Sequence, residues 1–158
     1  KGKVKKIGFS LDKLNEYFEV LNYGIKPDLV QLPINYFDNR FLEVIKELKL
    51  INCEIHARSV FLQGLFFKKA NFLSQNFKPL INEITQLQKL YGNNLDIALL
   101  NYVYDMEDVD KIILGFDNSD QLIKIIDRLE NLSIIPLKTR KFNFDDKYII
   151  PSLWPKFN

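Results

Sequence analysis

The residues best able to do chemistry fall at the ends of short apolar runs. In "IHARSVFLQGL", Ile55 to Leu65, such a run ends in Arg58 and Ser59, and a Gln63-Gly64 turn soon follows. Ser10 closes an earlier run, Gln31 lies late in "LVQL", and Gly115, Asp117 and Ser119 follow "KIIL". The set comprises small hydroxyls, one amide, one guanidinium and backbone N–H groups near a helix start. Groups of this kind suit an anionic, hydrogen-bonding ligand such as a nucleotide pyrophosphate. They include no acid, base or nucleophile pair, so the residues describe a ligand-holding wall without a catalytic centre.

Each residue also has a plainer explanation. Ser10 and Ser119 serve equally well as helix caps. A buried Gln31 is satisfied by a neighbouring backbone as readily as by a ligand, and Arg58 can pair with a carboxylate. His56, the only histidine, lies inside its strand and reads as structural, satisfied by a neighbour. The phenylalanine-rich "GLFFKKANFLSQNF" reads as loop and core packing, and no metal-ligand spacing occurs.

Four runs read as strands: Val4 to Phe9, Leu29 to Leu32, Cys53 to Ala57 and Lys111 to Leu114. None alternates over a long stretch, as expected of strands buried on both faces of a parallel sheet. Ser10 reads as the cap of a helix that turns Leu11, Leu14, Phe18 and Leu21 inward before Gly24 and Pro27 stop it. Phe41, Ile45 and Leu48 line a second helix. Leu80, Ile84, Leu87 and Tyr91 mark a third, ended by Gly92, and Leu95, Ala98, Leu99 and Tyr102 a fourth. Ser119 reads as the cap of a last helix with Leu122, Ile125, Ile126 and Leu129 inward, and an extended tail runs from about Ser133. The order β-α-β-α-β-α-α-β-α implies a parallel sheet with right-handed crossovers. An open doubly wound sheet and a barrel both satisfy it. The glycine fingerprint of a dinucleotide-binding Rossmann unit is absent from Gly8-Phe9-Ser10-Leu11-Asp12. A complete eight-stranded barrel takes roughly 250 residues, and the units here make half of one.

The 158 residues suffice for one domain with a sizeable core. With 47% hydrophobic and 27% charged residues the composition is that of a folded chain. A net charge of +2 is too near neutral for a nucleic-acid binder, and the basic "KGKVKK" reads as a solvated chain end. A single cysteine, Cys53, excludes an intramolecular disulfide and a multi-cysteine zinc site; a buried thiol in a reducing cytoplasm is expected. No apolar run approaches the roughly 20 residues of a membrane span, and no signal peptide is recognisable. A first residue of Lys1 rather than Met suggests a processed or truncated product.

Four segments, in order and at the right spacing, resemble one family. "GKVKKIGFS", "DLVQLPINYFDNR" and "EIHARSVFLQGLF" are similar to the fifth, sixth and seventh strands of the aldo/keto reductases. "DIALLNYVYDMEDVDKIILGFDNSDQLIKII" is similar to the helix, eighth strand and cofactor loop that follow. These are NAD(P)H-dependent (β/α)8-barrel oxidoreductases, and the likeness runs to about Leu129. "YIIPSLWPKF" also resembles tails of bacterial members, some linked to surface-sugar pathways. The resemblance implies a C-terminal half-barrel of the TIM type over 1–132, with about four parallel strands, and a tail over 133–158.

It also implies NADP or NAD as cofactor, held position by position. Ser10 and Gln31 would bond the nicotinamide carboxamide. Arg58 stands where many relatives carry a stacking Tyr, and a planar guanidinium can also stack. Ser59, Phe61, Gln63 and Gly64 would hold the pyrophosphate, with Gly64 letting the backbone come close. Gly115, Asp117, Ser119, Gln121 and Lys124 would take the adenosine end, and Trp154 and Phe157 are substrate candidates that packing explains equally well. Leu11 replaces a frequent Asn, and Gly115 and Gln121 replace basic residues of NADP-selective relatives, which leaves NAD or NADP open.

The family's catalytic Asp, Tyr, Lys and His belong to its first four strands, ahead of Lys1, so no catalytic residue is expected in this chain. The resemblance therefore implies a fragment of an enzyme that reduces an aldehyde or ketone, inactive alone. Its open edges predict self-association, or reassembly with the missing N-terminal half. The competing expectations are a non-enzymatic half-barrel that assembles or binds phosphate or nucleotide, and an unrelated α/β domain with an open four-stranded sheet.

Overall fold

The computed structural model describes residues 2–73, 75–130, 135–137 and 140–154. Its sheet contains β1 (Gly8–Ser10), β2 (Leu29–Pro33), β3 (Glu54–Arg58) and β4 (Lys111–Ile112), all parallel, in the order β1-β2-β3-β4. Spatial order follows chain order with no point of reversal. That is the topology of a barrel segment and not of a doubly wound sheet.

The central strands alternate. Val30, Leu32, Ile55 and Ala57 are fully buried and join Val44, Ile45 and Leu48 of α2 (Leu42–Leu50) in the core. Their neighbours Leu29, Gln31, Glu54, His56 and Arg58 are only half-buried. The expectation of strands buried on both faces is therefore corrected: one face is packed and the other is open. In a closed barrel such a face turns inward. Register places Ser10, Gln31, His56 and Lys111 in one row across this face.

The edge strands are shorter than the apolar runs that suggested them. The ladder between β1 and β2 begins where Asp28 and Leu29 donate to Ile7 O, so Val4 to Lys6 have no partner strand among the described residues. At the other edge, Ile113 N still reaches Ala57 O at 2.7 Å, but β3 ends one residue later at Arg58.

Two expected caps belong to other residues. Ser10 ends β1, and α1 (Leu14–Asn22) is capped by Glu16, whose Oε2 accepts the N–H groups of Asp12 (2.6 Å) and Lys13 (2.9 Å). Helix α5 (Ser119–Glu130) is capped by Asn118, whose Oδ1 accepts the N–H of Gln121 at 3.0 Å. The inward faces assigned to these helices are corrected as well. Within α1 only Tyr17 is buried, while Phe18 and Leu21 are 55% and 45% exposed. In α5 only Ile125 is buried, and Leu122, Ile126 and Leu129 are exposed. Both helices belong to the outermost β/α units, where no further unit covers them.

The middle of the chain is as expected. Helix α3 (Lys78–Tyr91) buries Leu80, Ile84 and Leu87, and α4 (Leu95–Tyr104) is apolar nearly all round and correspondingly buried. The described part of the tail is not extended throughout. Phe142 and Phe144 pack on Phe37 with ring centroids 5.2 Å and 5.4 Å away, contacts worth about 0.5–1.5 kcal/mol each. The chain then forms α6 (Asp146–Ile149) and a 3-10 turn at Pro151–Leu153, burying Ile149 and Ile150. Cys53 is buried, and desolvation pushes its thiol up to about 11, as befits an inert packing residue. Among the described residues no helix is long and apolar enough to cross a membrane.

Candidate functional site

Where β2, β3 and β4 end, their loops surround a groove of ≈ 820 Å³. Ten of the twelve residues expected to hold a cofactor line it: Gln31, Arg58, Ser59, Phe61, Gln63, Gly64, Gly115, Asp117, Gln121 and Lys124. Ser10 and Ser119 do not. Ser10 sits at the exposed end of the edge strand β1, and Ser119 opens α5 beside its capping residue. The lining also includes Phe67, Asn93 and Asp96, which sequence reasoning missed because none closes an apolar strand.

The loop after β3 is built against backbone preference. Ser59, Leu62 and Gln63 adopt φ of 62°, 45° and 52°, and Gly64 follows at 75°. Each such conformation costs a side-chain-bearing residue on the order of 1 kcal/mol. It persists because Leu62 N bonds Ser59 O, Gly64 N bonds Phe61 O, and Leu62, Leu65 and Phe66 are buried beneath. Asn35, itself buried, adds a bond from Nδ2 to Ser59 O at 3.2 Å. Phe61 at φ −96°, ψ 6° is followed by Leu62 at φ 45°, and such a turn from right- to left-handed backbone makes a concave N–H surface that favours anions.

The loop after β2 is held from within. Asn35 Oδ1 accepts the N–H groups of Phe37 and Asp38, and the fully buried Asp38 carboxylate takes Arg40 through Nε (2.8 Å) and Nη2 (2.9 Å). Burial works against the Arg40 cation, but Asp38 outweighs it and raises its pKa.

Arg58 realises its plainer explanation without leaving the groove. Nη2 donates to Leu11 O and to Asp12 Oδ1, each at 2.9 Å, and Nη1 to Ser59 Oγ at 3.1 Å. Burial alone would raise the pKa of Asp12; the bonds from Arg58 and Ser152 overcome it and hold the carboxyl below its ordinary value. Gln31, Gln63, Asp117 and Lys124 differ from Arg58: their side chains make no hydrogen bond to any described residue. Gln121 is engaged, since its Oε1 accepts Asp117 N at 3.1 Å.

His56 pairs with Glu54 at 2.9 Å, the structural role expected of it. Trp154 lies in the tail outside the groove lining, its ring edge-on to Phe77 at 5.0 Å and its N–H donating to Tyr148 O. Among the described residues no group of His, Cys, Asp or Glu is arranged to hold a metal ion.

The model of the Aldo/keto reductase family matches residues 1–139. No curated protein matches the chain. Among solved structures, an apo aldo-keto reductase, AKR11C1 from Bacillus halodurans, superposes with a TM-score of 0.61 at 17% identity, over 91% of this chain and 49% of that one. The glycerol dehydrogenase AKR11B4 from Gluconobacter oxydans gives a TM-score of 0.47 at 16% identity, over 80% of this chain and 49% of that one. The chain thus spans about half the length of the solved proteins it matches.

Proposed function

The chain belongs to the aldo/keto reductase family, and on that premise we propose that it is the cofactor-holding half of an oxidoreductase that reduces an aldehyde or ketone with NADP or NAD. The observation that carries this is the groove itself. It brings ten residues from three strand ends and the helix that follows the last to one surface, and four of their polar side chains make no hydrogen bond to any described residue. Gln31 would take the nicotinamide carboxamide, with Ser10 beside it in register. The fixed Arg58 guanidinium offers a flat face for the ring. The loop from Ser59 to Gly64, whose Leu62 and Gly64 N–H groups already bond within it, would receive the pyrophosphate on its remaining N–H groups, and Gly115, Asp117, Ser119, Gln121 and Lys124 the adenosine end. The nicotinamide, when bound, supplies the hydride. What this chain contributes is binding and orientation; the proton donor would come from strands that complete the barrel.

The two open edges and the exposed faces of α1 and α5 fit that division. Four further β/α units would cover them, and a second copy of the chain is the other candidate. Trp154 would reach a substrate only from the tail, and a cytoplasmic setting suits the cofactor. A second reading, a half-barrel that binds phosphate or nucleotide without catalysis, draws on the anion-ready loop alone.

Titration with NADH and NADPH, followed by cofactor and Trp154 fluorescence, tests the proposal. Saturable binding is expected, weakened about tenfold by Arg58→Ala through loss of the cationic ring contact. If the chain supplied with the rest of the barrel binds inorganic pyrophosphate but neither dinucleotide, the second reading stands instead.

A further inference from the structure

Asp12 stands where three parts of the chain meet. Its Oδ1 accepts Arg58 Nη2 at 2.9 Å, in the groove. Its Oδ2 accepts the hydroxyl of Ser152 at 3.0 Å, from the tail. Its main-chain oxygen accepts Arg40 Nη2 at 3.4 Å, and Nη1 of the same guanidinium reaches Asp146 at 3.2 Å. The tail is thus stitched to the rim twice, once through Arg40 and once through Asp12. Ser152 is delivered by well-packed neighbours: Ile149 and Ile150 are buried before it, and Trp154 meets Phe77 after it.

We propose that Asp12 is a positioning residue that couples docking of the C-terminal segment to the orientation of Arg58. The two carboxylate oxygens serve different masters: one holds the tail, the other the groove. Each bond limits rotation of the Asp12 side chain, so each helps to place the acceptor that the other uses. Arg58 needs that help. A guanidinium on a flexible stem keeps one plane only when several acceptors fix it, and Asp12 is the charged one among Leu11 O, Asp12 Oδ1 and Ser59 Oγ. Loss of the tail contact therefore loosens Arg58, and by linkage whatever fixes Arg58 tightens the tail. Only the identity of the ligand above Arg58 rests on the nicotinamide reading; the linkage between Arg58, Asp12 and Ser152 does not.

Hydrogen exchange at the amides of residues 148–150, 152 and 153, measured on the whole chain, tests the linkage without any ligand. Arg58→Ala is expected to speed exchange there by roughly threefold or more, although Arg58 is not in the tail. The same substitution should change little when Ser152 is already Ala or Asp12 is already Asn, with circular dichroism confirming that each variant is folded. Tail exchange indifferent to Arg58→Ala, or an undiminished response in the Asp12→Asn background, would overturn the proposal. A second arm adds NADH: tail protection should rise in the unaltered chain and fail to rise in Asp12→Asn. NADH that binds without protecting the tail refutes the coupling to occupancy. NADH that does not bind removes the nicotinamide reading, and the ligand-free cycle still decides the linkage.

Discussion

The two ends of the sheet are held together in different ways. At the end where strands begin, Asp28, Glu54 and Asp110 are engaged by the chain itself. Asp28 Oδ2 takes Ile7 N at 2.8 Å and Asp110 Oδ2 takes Ile55 N at 2.6 Å, so each acidic group ties its own strand to the one before or after. Glu54 gathers Lys6, His56 and Lys111, and these bonds hold its carboxyl far below the ordinary carboxylate range. At the end where strands finish, the backbone is strained, cations cross-link loops, and several polar side chains make no hydrogen bond to another described residue. The first end spends its polar groups on structure, whereas the second keeps some in reserve, which is the division of labour expected of a (β/α) barrel.

Substitutions can break or sharpen that contrast. The largest effect should come from the strained end, at a site that is structural in spite of its position. Asp38→Ala strips the partner from a largely buried Arg40 and should cost about 3 kcal/mol in urea unfolding. A cost near zero would mean that the loop after β2 is not held by this pair. Next is Gly8→Ala at the edge of the sheet. A methyl there would sit 2.2 Å from Leu29 O, so β1 must move, at about 2 kcal/mol.

Asp110 probes the opposite end. Burial raises its pKa, but the bonds from Ile55 N–H and Lys49 outweigh that and hold it low. A carboxyl whose pKa is depressed on folding stabilises the protein above its unfolded pKa, about 3.9, and loses that contribution as pH falls through the folded value. Asp110→Asn should therefore cost about 1 kcal/mol at neutral pH and flatten the acid limb of the stability curve below about pH 4. NADH affinity should not change. The smallest effect belongs to Gln63→Gly, which relieves a left-handed residue and should gain at most about 1 kcal/mol in thermal stability. If Gln63 holds pyrophosphate, the same variant binds NADH more weakly.

Much of the candidate site was legible because loops at strand ends are marked by local residue types. Arg58, Ser59 and Gly64 announce themselves in one short stretch, and the groove indeed collects them. Asp12 gave no such signal, since its role depends on Arg58 and Ser152, which reach it from far along the chain. The caps show the same limit on a smaller scale. Ser10 and Ser119 have the right chemistry, yet Glu16 and Asn118 are the groups whose oxygens reach the free N–H groups. The faces of α1 and α5 are the clearest case: Phe18, Leu21, Leu122 and Ile126 recur at helical spacing, but spacing records which residues share a face, not whether anything covers it.

The sequence by itself determined the order of strands and helices, because hydrophobic period and turn residues are local properties. It also determined the chemistry available at the strand ends. Only the tertiary structure decided that β1 to β4 lie side by side in chain order, that one sheet face is open, and that Arg58, Asp12 and Ser152 form one chain of bonds. Those facts depend on which residues come within about 3 Å of one another in space, and separation along the chain does not encode that distance.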